Sequence, residues 1–192
     1  MDNKMNNRRK NNLEEQFVFR QILPQEADQA VAIEHICFPP HEACSEKMMR
    51  DRIARVPELF FVAVDRKTGK LAGFLNGIAT NEQSFRDAFF TDAGLHDPQG
   101  STVMLLGLDV LPEYRGQGLA REIMTRYLSI EREKGRKQAI LTCLEEKVAM
   151  YERMGYHNCG LSASAWGDEQ WYEMCCRLND QASILASFIQ KH

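Results

Sequence analysis

The sequence predicts an α/β fold built on a mixed, mostly antiparallel sheet flanked by helices. Apolar segments with the spacing of strands alternate with segments of helical spacing. The nearly continuous apolar run over 101–111 is typical of a central strand buried on both faces. A helical segment and a second buried strand follow this run. The unit over 103–143 therefore predicts one parallel crossover, because parallel neighbours need a long connection.

The elements before the central strand follow from the same patterns. Alternation predicts a strand over 17–23, and helical spacing predicts a helix over 24–38 with proline in its first turn. A serine that suits an N-cap begins a second helix over 45–56. Strands over 59–65 and 70–80 form a hairpin with a glycine in its turn. A polar, acidic stretch then leads to the central strand.

Glycines mark the ends of the helices after the central strand, as expected for C-terminal caps. A helix over 116–134 ends at a glycine, and a buried strand over 137–144 follows. A shorter helix over 145–154 also ends at a glycine and precedes strands over 156–164 and 169–178.

No repeat or low-complexity linker divides the chain. The polar segment 1–16 is expected to be a disordered tail. Residues 17–178 are expected to form a single domain, and 179–192 a C-terminal helix.

Composition narrows the classes of function. With 192 residues, 44% hydrophobic and 27% charged, the chain is typical of one globular domain. A formal net charge of −3 and the lack of a basic stripe argue against nucleic-acid binding. No apolar run approaches the roughly 18 residues of a membrane span, and the N-terminus lacks the apolar segment of a secretory signal. We therefore expect a cytoplasmic protein that binds neither nucleic acid nor membrane.

The six cysteines favour neither a disulfide framework nor a metal site. No C-x-x-C pair occurs, and the adjacent Cys175 and Cys176 would point to opposite faces of a strand. We expect reduced structural thiols and no bound metal.

The segment LDVLPEYRGQGLAREIM (108–124) joins the central strand to the following helix through RGQG. Glycine suits a sharp turn or the close approach of backbone to a ligand. The start of a helix leaves amide N–H groups unpaired and carries a partial positive charge. The segment therefore predicts an anion site where strand meets helix.

Three phosphate-binding motifs are candidates for this turn. A P-loop does not fit, because Leu119 and Ala120 stand where it needs Lys and Ser or Thr. A dinucleotide-binding turn finds two of its glycines in Gly116 and Gly118, but Arg121 replaces the third. The third candidate is the pyrophosphate loop R/Q-x-x-G-x-G/A, which RGQGLA matches throughout.

This loop resembles that of the GNAT acetyltransferase superfamily, and the resemblance covers roughly residues 17–178. It implies the single-domain GNAT fold, in which the fourth and fifth strands splay apart to admit the pantetheine arm of acetyl-CoA. It also implies an acetyl-CoA site made of Leu108, Asp109, Val110, Arg115, Gly116, Gln117, Gly118, Leu119, Ala120, Arg121 and Tyr151.

A second segment, YERMGY (151–156), resembles the Y-E-x-x-G-F/Y segment of the same superfamily. The resemblance implies that Tyr151 protonates the departing CoA sulfur, for which a phenol of pKa about 10 is suited. It implies that the backbone N–H groups of Leu108 and Val110 hold the pantetheine and stabilise the oxyanion. By itself, Tyr151 could instead be an aromatic residue that packs on the sheet.

A third segment, over 38–64, resembles the serotonin N-acetyltransferase-like branch. The resemblance implies that Phe38, Pro39, Pro40 and His41 belong to the pocket of the amine substrate. A rigid helix–helix connector without substrate contacts is the alternative.

The general base is not predicted by the resemblance. That branch carries a histidine pair on the strand before the loop, where this sequence has Met104 and Leu106. Neither side chain can move a proton. His41, Glu42 and Asp109 are the candidates that the sequence offers.

Together these features predict an N-acetyltransferase that moves the acetyl group of acetyl-CoA to the primary amine of a small molecule. The amine attacks directly, with Tyr151 as general acid. We expect a monomer or a homodimer. A catalytically inactive acyl-CoA-binding regulatory module, a protein or peptide N-acetyltransferase, and a nucleotide-binding oxidoreductase stay open as alternatives.

Overall fold

A computed structural model describes residues 12–178 of the chain. The strands are β1 (Phe17–Gln21), β2 (Phe60–Asp65), β3 (Leu71–Thr80), β4 (Thr102–Val110), β5 (Gln138–Cys143), β6 (His157–Leu161) and β7 (Tyr172–Arg177). The α-helices are α1 (Ala27–Cys37), α2 (Glu46–Arg55), α3 (Ala88–Thr91), α4 (Leu119–Glu133) and α5 (Glu145–Glu152). Short 3₁₀ turns lie at Pro24–Glu26, Pro57–Leu59, Ala93–Leu95, Pro112–Tyr114 and Trp166–Asp168.

The seven strands form one mixed sheet in the order β1-β2-β3-β4-β5-β7-β6. Each neighbouring pair is antiparallel except β4 and β5, which are parallel and connected through α4. The prediction of a largely antiparallel sheet with one strand–helix–strand crossover is confirmed.

The two parallel strands pair over a short length and then separate. Their register runs from Thr102 opposite Gln138 to Met104 opposite Ile140. Strand β4 continues to Val110 and β5 to Cys143 without further pairing between them. A cleft therefore opens in the sheet, as the resemblance implied.

A bulge in β4 lies at this opening. Asn76 pairs with Gly107, whereas Gly77 pairs with Leu105, so that Leu106 has no partner on β3. A bulge bends a strand and increases its twist. The bulge therefore redirects the end of β4 as that strand leaves β5.

Helices cover both faces of the sheet. On one face Ile33 of α1 and Met49 of α2 belong to a buried cluster with Phe74 of β3. On the other face Ile123 and Tyr127 of α4 pack in the larger cluster of the core. Ile123 and Tyr127 are four residues apart, which is the spacing of one face of an amphipathic helix.

Three boundaries differ from the sequence prediction. Helix α4 begins at Leu119 and not at residue 116, because Gly116 and Gly118 have φ angles of 75° and 90°. Strand β6 ends at Leu161, so that the expected strand over 156–164 is shorter. Residues 12–16, expected within the disordered tail, are helical, and Leu13 is buried in the core.

The rest of the expected tail, 1–11, and the expected C-terminal helix over 179–192 lie outside the described residues. Within 12–178, no helix has both the length and the apolar character needed to cross a membrane.

Candidate active site

The turn before α4 presents a row of backbone N–H groups. Gly118 is the N-cap of α4 in a left-handed conformation that favours glycine. Leu119, which is 1% exposed, anchors the first turn of the helix in the core. Within the described residues, the N–H groups of 116–121 donate to no acceptor. The turn therefore has the free donors and the helix dipole of an anion site.

Arginines surround this turn. Arg115 Nε donates to the carbonyl oxygen of Val110 at 2.8 Å, which fixes the turn to the end of β4. Arg121 lies one turn into the helix and approaches the carbonyl oxygen of Arg153 at 3.4 Å. Their charges make this end of the cleft attractive to a phosphate group.

A cavity of about 760 Å³ connects the turn with the loop between α1 and α2. It passes the ends of β4 and β5, where the two strands separate. Of the residues expected at the site, those that line it are Phe38, Pro39, Leu108, Val110, Arg115, Gly116, Gly118, Leu119, Ala120, Arg121 and Tyr151.

The other expected residues do not line the cavity. Asp109 is fully buried behind it, and Pro40 is exposed beside it. Gln117 is exposed, and its side chain donates to the carbonyl oxygen of Glu113 at 3.3 Å. His41 points to the surface, with its Nε2 3.3 Å from a carboxylate oxygen of Glu169.

His41, Glu42 and Glu169 are the one group in residues 12–178 whose ligand atoms could together meet a metal ion, all within 4.8 Å of one another. The side chains of His41 and Glu169 are 51% and 41% exposed. The two side chains already contact each other, so that the cluster is satisfied by a hydrogen bond at the surface.

Tyr151 lies on α5 and is partly buried at the cavity wall. Its ring packs edge-on against Tyr156 with the centroids 5.8 Å apart. Burial raises the pKa of the Tyr151 hydroxyl well above its ordinary value, and Cys143 and Asp109 add to the shift. The hydroxyl is therefore fully protonated at neutral pH and can act only as a proton donor.

Both tryptophans of the chain line the far end of the cavity. Trp166 Nε1 donates to the carbonyl oxygen of Glu42 at 2.7 Å, and Trp171 Nε1 donates to that of Trp166 at 2.8 Å. The Trp166 ring also packs on Phe90 at 5.0 Å between centroids. The β6–β7 loop is thus locked to the α1–α2 loop. Sequence patterns assigned the tryptophans no role, although large aromatic residues in an irregular segment are typical of binding pockets.

Two buried carboxyl groups lie at this end of the cavity, one in its wall and one behind it. Glu34 lines the cavity, is 5% exposed, and accepts from the Cys44 backbone N–H at 2.8 Å. Asp109 is 0% exposed, and neither of its oxygens has a hydrogen-bond partner within the described residues. Burial raises the pKa of Glu34, and burial followed by the charge of Glu34 raises that of Asp109 further. Of the two carboxyl groups, Asp109 has the pKa that is raised further, because it is completely buried beside Glu34.

A sheet that opens between two parallel strands, with an anion-binding turn at the opening, is the architecture of an acyl-CoA-dependent transferase. A model of the acetyltransferase (GNAT) family matches residues 27–156, which include the cleft, the turn and Tyr151. The chain belongs to the GNAT family. Membership supports acyl-CoA-dependent acyl transfer as its class of activity.

Known relatives agree with this assignment. The chain is 27% identical over 170 residues to serotonin N-acetyltransferase of Mesocricetus auratus, across 86% of this chain and 80% of that protein. The loading GNATL domain of CurA from Lyngbya majuscula has the same fold, with a TM-score of 0.75 at 14% identity over 86% of this chain and 99% of that one. The GNAT-like decarboxylase GphF, in complex with isobutyryl-CoA, matches with a TM-score of 0.70 at 20% identity over 84% and 100%.

The substitution Gly118→Asp is expected to abolish CoA binding, because it places a side chain and a negative charge at the anion site. The parent is expected to bind CoA with micromolar affinity, roughly −8 kcal/mol. Calorimetry measures both values. Gly135→Asp is the matched control, because Gly135 has a similar φ of 85° at the other end of α4. Equal CoA affinity for Gly118→Asp and the parent would contradict the assignment of the turn.

The substitution Asp109→Asn is expected to stabilise the protein increasingly as the pH rises from 4 to 7. In this window the folded state keeps the Asp109 proton that the unfolded state loses, so the stability of the parent falls as pH rises. The difference between variant and parent can grow by up to about 1.4 kcal/mol per pH unit. Chemical denaturation at several pH values measures it, with the exposed Asp28→Asn as control. A difference independent of pH would show that Asp109 is ionised in the folded protein.

Proposed function

We propose that the protein transfers the acetyl group of acetyl-CoA to the primary amine of a small molecule. One observation carries the proposal: a single cavity joins the anion-binding turn, Tyr151 and the carboxylate of Glu34. These are the groups that a thioester, its leaving thiol and an attacking amine require. An acetyl-CoA-dependent turnover assay over a panel of amines tests it.

The cofactor half of the cavity suits CoA. The free N–H groups of residues 116–121 would hold the pyrophosphate, and Arg115 and Arg121 add positive charge. The pantetheine arm would enter between the separated ends of β4 and β5. Solved GNAT neighbours in complex with isobutyryl-CoA and with CoA support CoA as the kind of ligand.

The acceptor half suits a small molecule. Phe38, Pro39, Phe90, Trp166 and Trp171 supply its apolar walls. The hydrogen bond from Trp166 to the backbone of the α1–α2 loop closes this side. Apolar walls that are bounded on one side by the joined loops favour a compact amine over an extended peptide.

Direct attack by the amine fits better than an acyl-enzyme intermediate. Burial raises the pKa of Cys143 to about 11, and burial with the charge of Asp109 raises that of Cys37 to about 11. Both thiols line the cavity, but a thiol with this pKa is almost entirely protonated at neutral pH. A thiolate nucleophile is therefore absent from both positions.

In this mechanism the backbone N–H of Leu108 stabilises the oxyanion, and that of Val110 holds the pantetheine. Tyr151 gives its proton to the CoA thiolate as the carbon–sulfur bond breaks. The raised pKa of Tyr151 keeps the proton available at every working pH. The proton transfer accompanies the breaking of the carbon–sulfur bond, because the sulfur becomes basic only as it gains negative charge.

Glu34 is the group that we propose as general base. The other candidates for the base are less suitable. Asp109 lies behind the cavity, and His41 points to the surface. Glu42 lines the cavity, but its side chain approaches His41 at 3.6 Å near the mouth. Glu34 is buried and lines the acceptor half, and burial raises its pKa, which makes its carboxylate a stronger base. It can take the proton of the ammonium as the nitrogen approaches the thioester.

The substitution Tyr151→Phe is expected to lower kcat at least about tenfold, because general acid catalysis contributes about 10²–10⁴ in rate and water can replace part of it. The ring packing persists, so folding and CoA affinity should change little. Steady-state kinetics measure the effect. The loss should shrink for an acyl donor whose thiol is more acidic, since that thiol leaves without help. A Tyr151→Phe variant with parental kcat would make Tyr151 a packing residue.

The substitution Glu34→Gln is expected to lower kcat at neutral pH by about 10²–10⁴, because Gln cannot take the acceptor's proton. The loss should diminish as the pH approaches the pKa of the amine, where the free base attacks unaided. Profiles of kcat against pH measure this recovery. Glu42→Gln is the comparison, and a deficit of the same size for that variant would transfer the role of base to Glu42.

A further inference from the structure

The Glu42 side chain lies at the acceptor end of the cavity. It lines the cavity beside Trp166, whose indole N–H donates to the Glu42 carbonyl oxygen at 2.7 Å. The side chain is 9% exposed, and within residues 12–178 its carboxylate takes part in no hydrogen bond. Buried polar groups are normally paired in folded proteins. A nearly buried carboxylate without a partner in the wall of a cavity therefore indicates a ligand that donates hydrogen bonds.

The β6–β7 loop restricts the position of this side chain. Gly167 has a φ of 68°, in the left-handed region that favours glycine. Its backbone approaches so closely that a Cβ at residue 167 would lie 3.3 Å from Glu42 Cγ and 2.7 Å from the His41 carbonyl oxygen. This contact and the hydrogen bond from Trp166 hold Glu42 in place before a ligand arrives. Less conformational freedom is then lost on binding.

The two cationic side chains beside Glu42 are closer to other carboxylates. His41 Nε2 is 3.6 Å from a Glu42 carboxylate oxygen, too far for a hydrogen bond, and 3.3 Å from Glu169. Lys147 Nζ pairs with Glu146 at 3.1 Å. Burial raises the pKa of the Glu42 carboxyl. The negative charges of Glu169 and Glu146 raise this pKa further, although the two cations oppose them. A bound cation would supply the positive charge that these carboxyl groups lack.

Glu42 is separated from the reacting centre by apolar walls. The thioester would lie beside Tyr151, where β4 and β5 separate, whereas Glu42 belongs to the α1–α2 loop. The walls of the acceptor half are formed by Phe38, Pro39, Phe90, Trp166 and Trp171. A hydrocarbon segment suits such walls, because its burial against them removes apolar surface from water. Glu42 is therefore placed to bind the end of the acceptor that does not react.

We propose that the acceptor is a diamine, in which one amino group takes the acetyl group and the other, as an ammonium ion, binds the Glu42 carboxylate. The inference rests on the acetyl transfer proposed above and names its substrate class. The reacting nitrogen bonds to the acetyl carbon, its proton passes to Glu34, the carbon–sulfur bond breaks, and the thiolate takes the proton of Tyr151. The second nitrogen keeps its protons and its charge. The acetylated end of the product has no charge to offer Glu42, so a second acetylation is disfavoured.

A matched pair of acceptors tests the inference. Putrescine is a diamine, and pentylamine has a methyl group in place of one of its amino groups. A hydrogen bond between charged groups is worth about 10–100-fold in binding, so the kcat/KM of the parent is expected to favour putrescine by about that factor. In Glu42→Gln this preference is expected to fall at least about tenfold, through a higher KM for putrescine. Mass spectrometry of the product from putrescine is expected to show a single acetyl group.

The matched control is Glu145→Gln, the same chemical change at the start of α5. Glu145 is exposed and does not line the cavity, although its neighbour Glu146 does. This variant should prefer putrescine as strongly as the parent. A loss of equal size for both acceptors in Glu42→Gln would assign Glu42 to the base or to the fold and overturn the inference. A parent that uses pentylamine as well as putrescine would also overturn it and leave acetyl transfer intact.

A binding measurement separates this inference from the proposed function. Calorimetry of putrescine with the CoA-bound protein requires no turnover. A putrescine Kd that rises at least about tenfold in Glu42→Gln, with the Kd of CoA within about twofold of the parent, supports the diamine site. An equal putrescine Kd in the two proteins would refute the site even where amines are acetylated. A parent that acetylates no amine refutes the proposed function, and the dependence of putrescine binding on Glu42 then decides the site by itself.

Discussion

The separation of β4 from β5 is the constraint on which the site depends. Adjacent strands normally pair along their shared length, which satisfies their backbone N–H and C=O groups. Here the pairing ends at Met104 and Ile140, while both strands continue. Strand β5 uses its other edge to pair with β7 along its whole length. The unpaired edge of β4 is therefore available to a ligand without any loss of sheet structure elsewhere.

The bulge at Leu106 extends this effect. It shifts the register between β3 and β4, so that Gly107 lies opposite Asn76. That pairing directs Gly107 and Asp109 toward α1, and Leu108 toward the core on the other face. The cofactor half of the cleft thus depends on backbone and arginines, and the acceptor half on buried carboxyl groups. The two halves of the cleft therefore differ in the chemical groups that they offer to a ligand.

Local patterns were sufficient to predict most of the fold and the turn of free N–H groups before α4. Each of these features can be recognised from a contiguous stretch of residues. They are the apolar run of β4, the glycines of the turn and the YERMGY segment. The acceptor half is different, because its residues come from separate elements. Glu34 and Asp109 are 75 positions apart and meet because α1 packs over β4. No pattern within either segment specifies that contact.

The sequence nevertheless contains weak indications of two residues in the acceptor half. Asp109 is the one charged residue in the apolar run over 101–111, and Glu34 follows the fully buried Ala30 by one helical turn. A charge on a buried face needs a partner or a function. Such a position marks a residue of interest, but the partner can be identified only when the packing of helix on sheet is known.

The attachment of Trp166 to the α1–α2 loop has an evolutionary consequence. Cofactor binding relies on main-chain geometry, which few substitutions can alter without loss of the fold. The walls of the acceptor half come from the α1–α2 and β6–β7 loops, which lie far apart in the sequence. The indole N–H of Trp166 joins these two loops. Under the proposed function, exchange of such loops between relatives would change the amine that is accepted and leave the cofactor site unchanged. One scaffold can in this way diversify into many transferases by altering its least constrained segments.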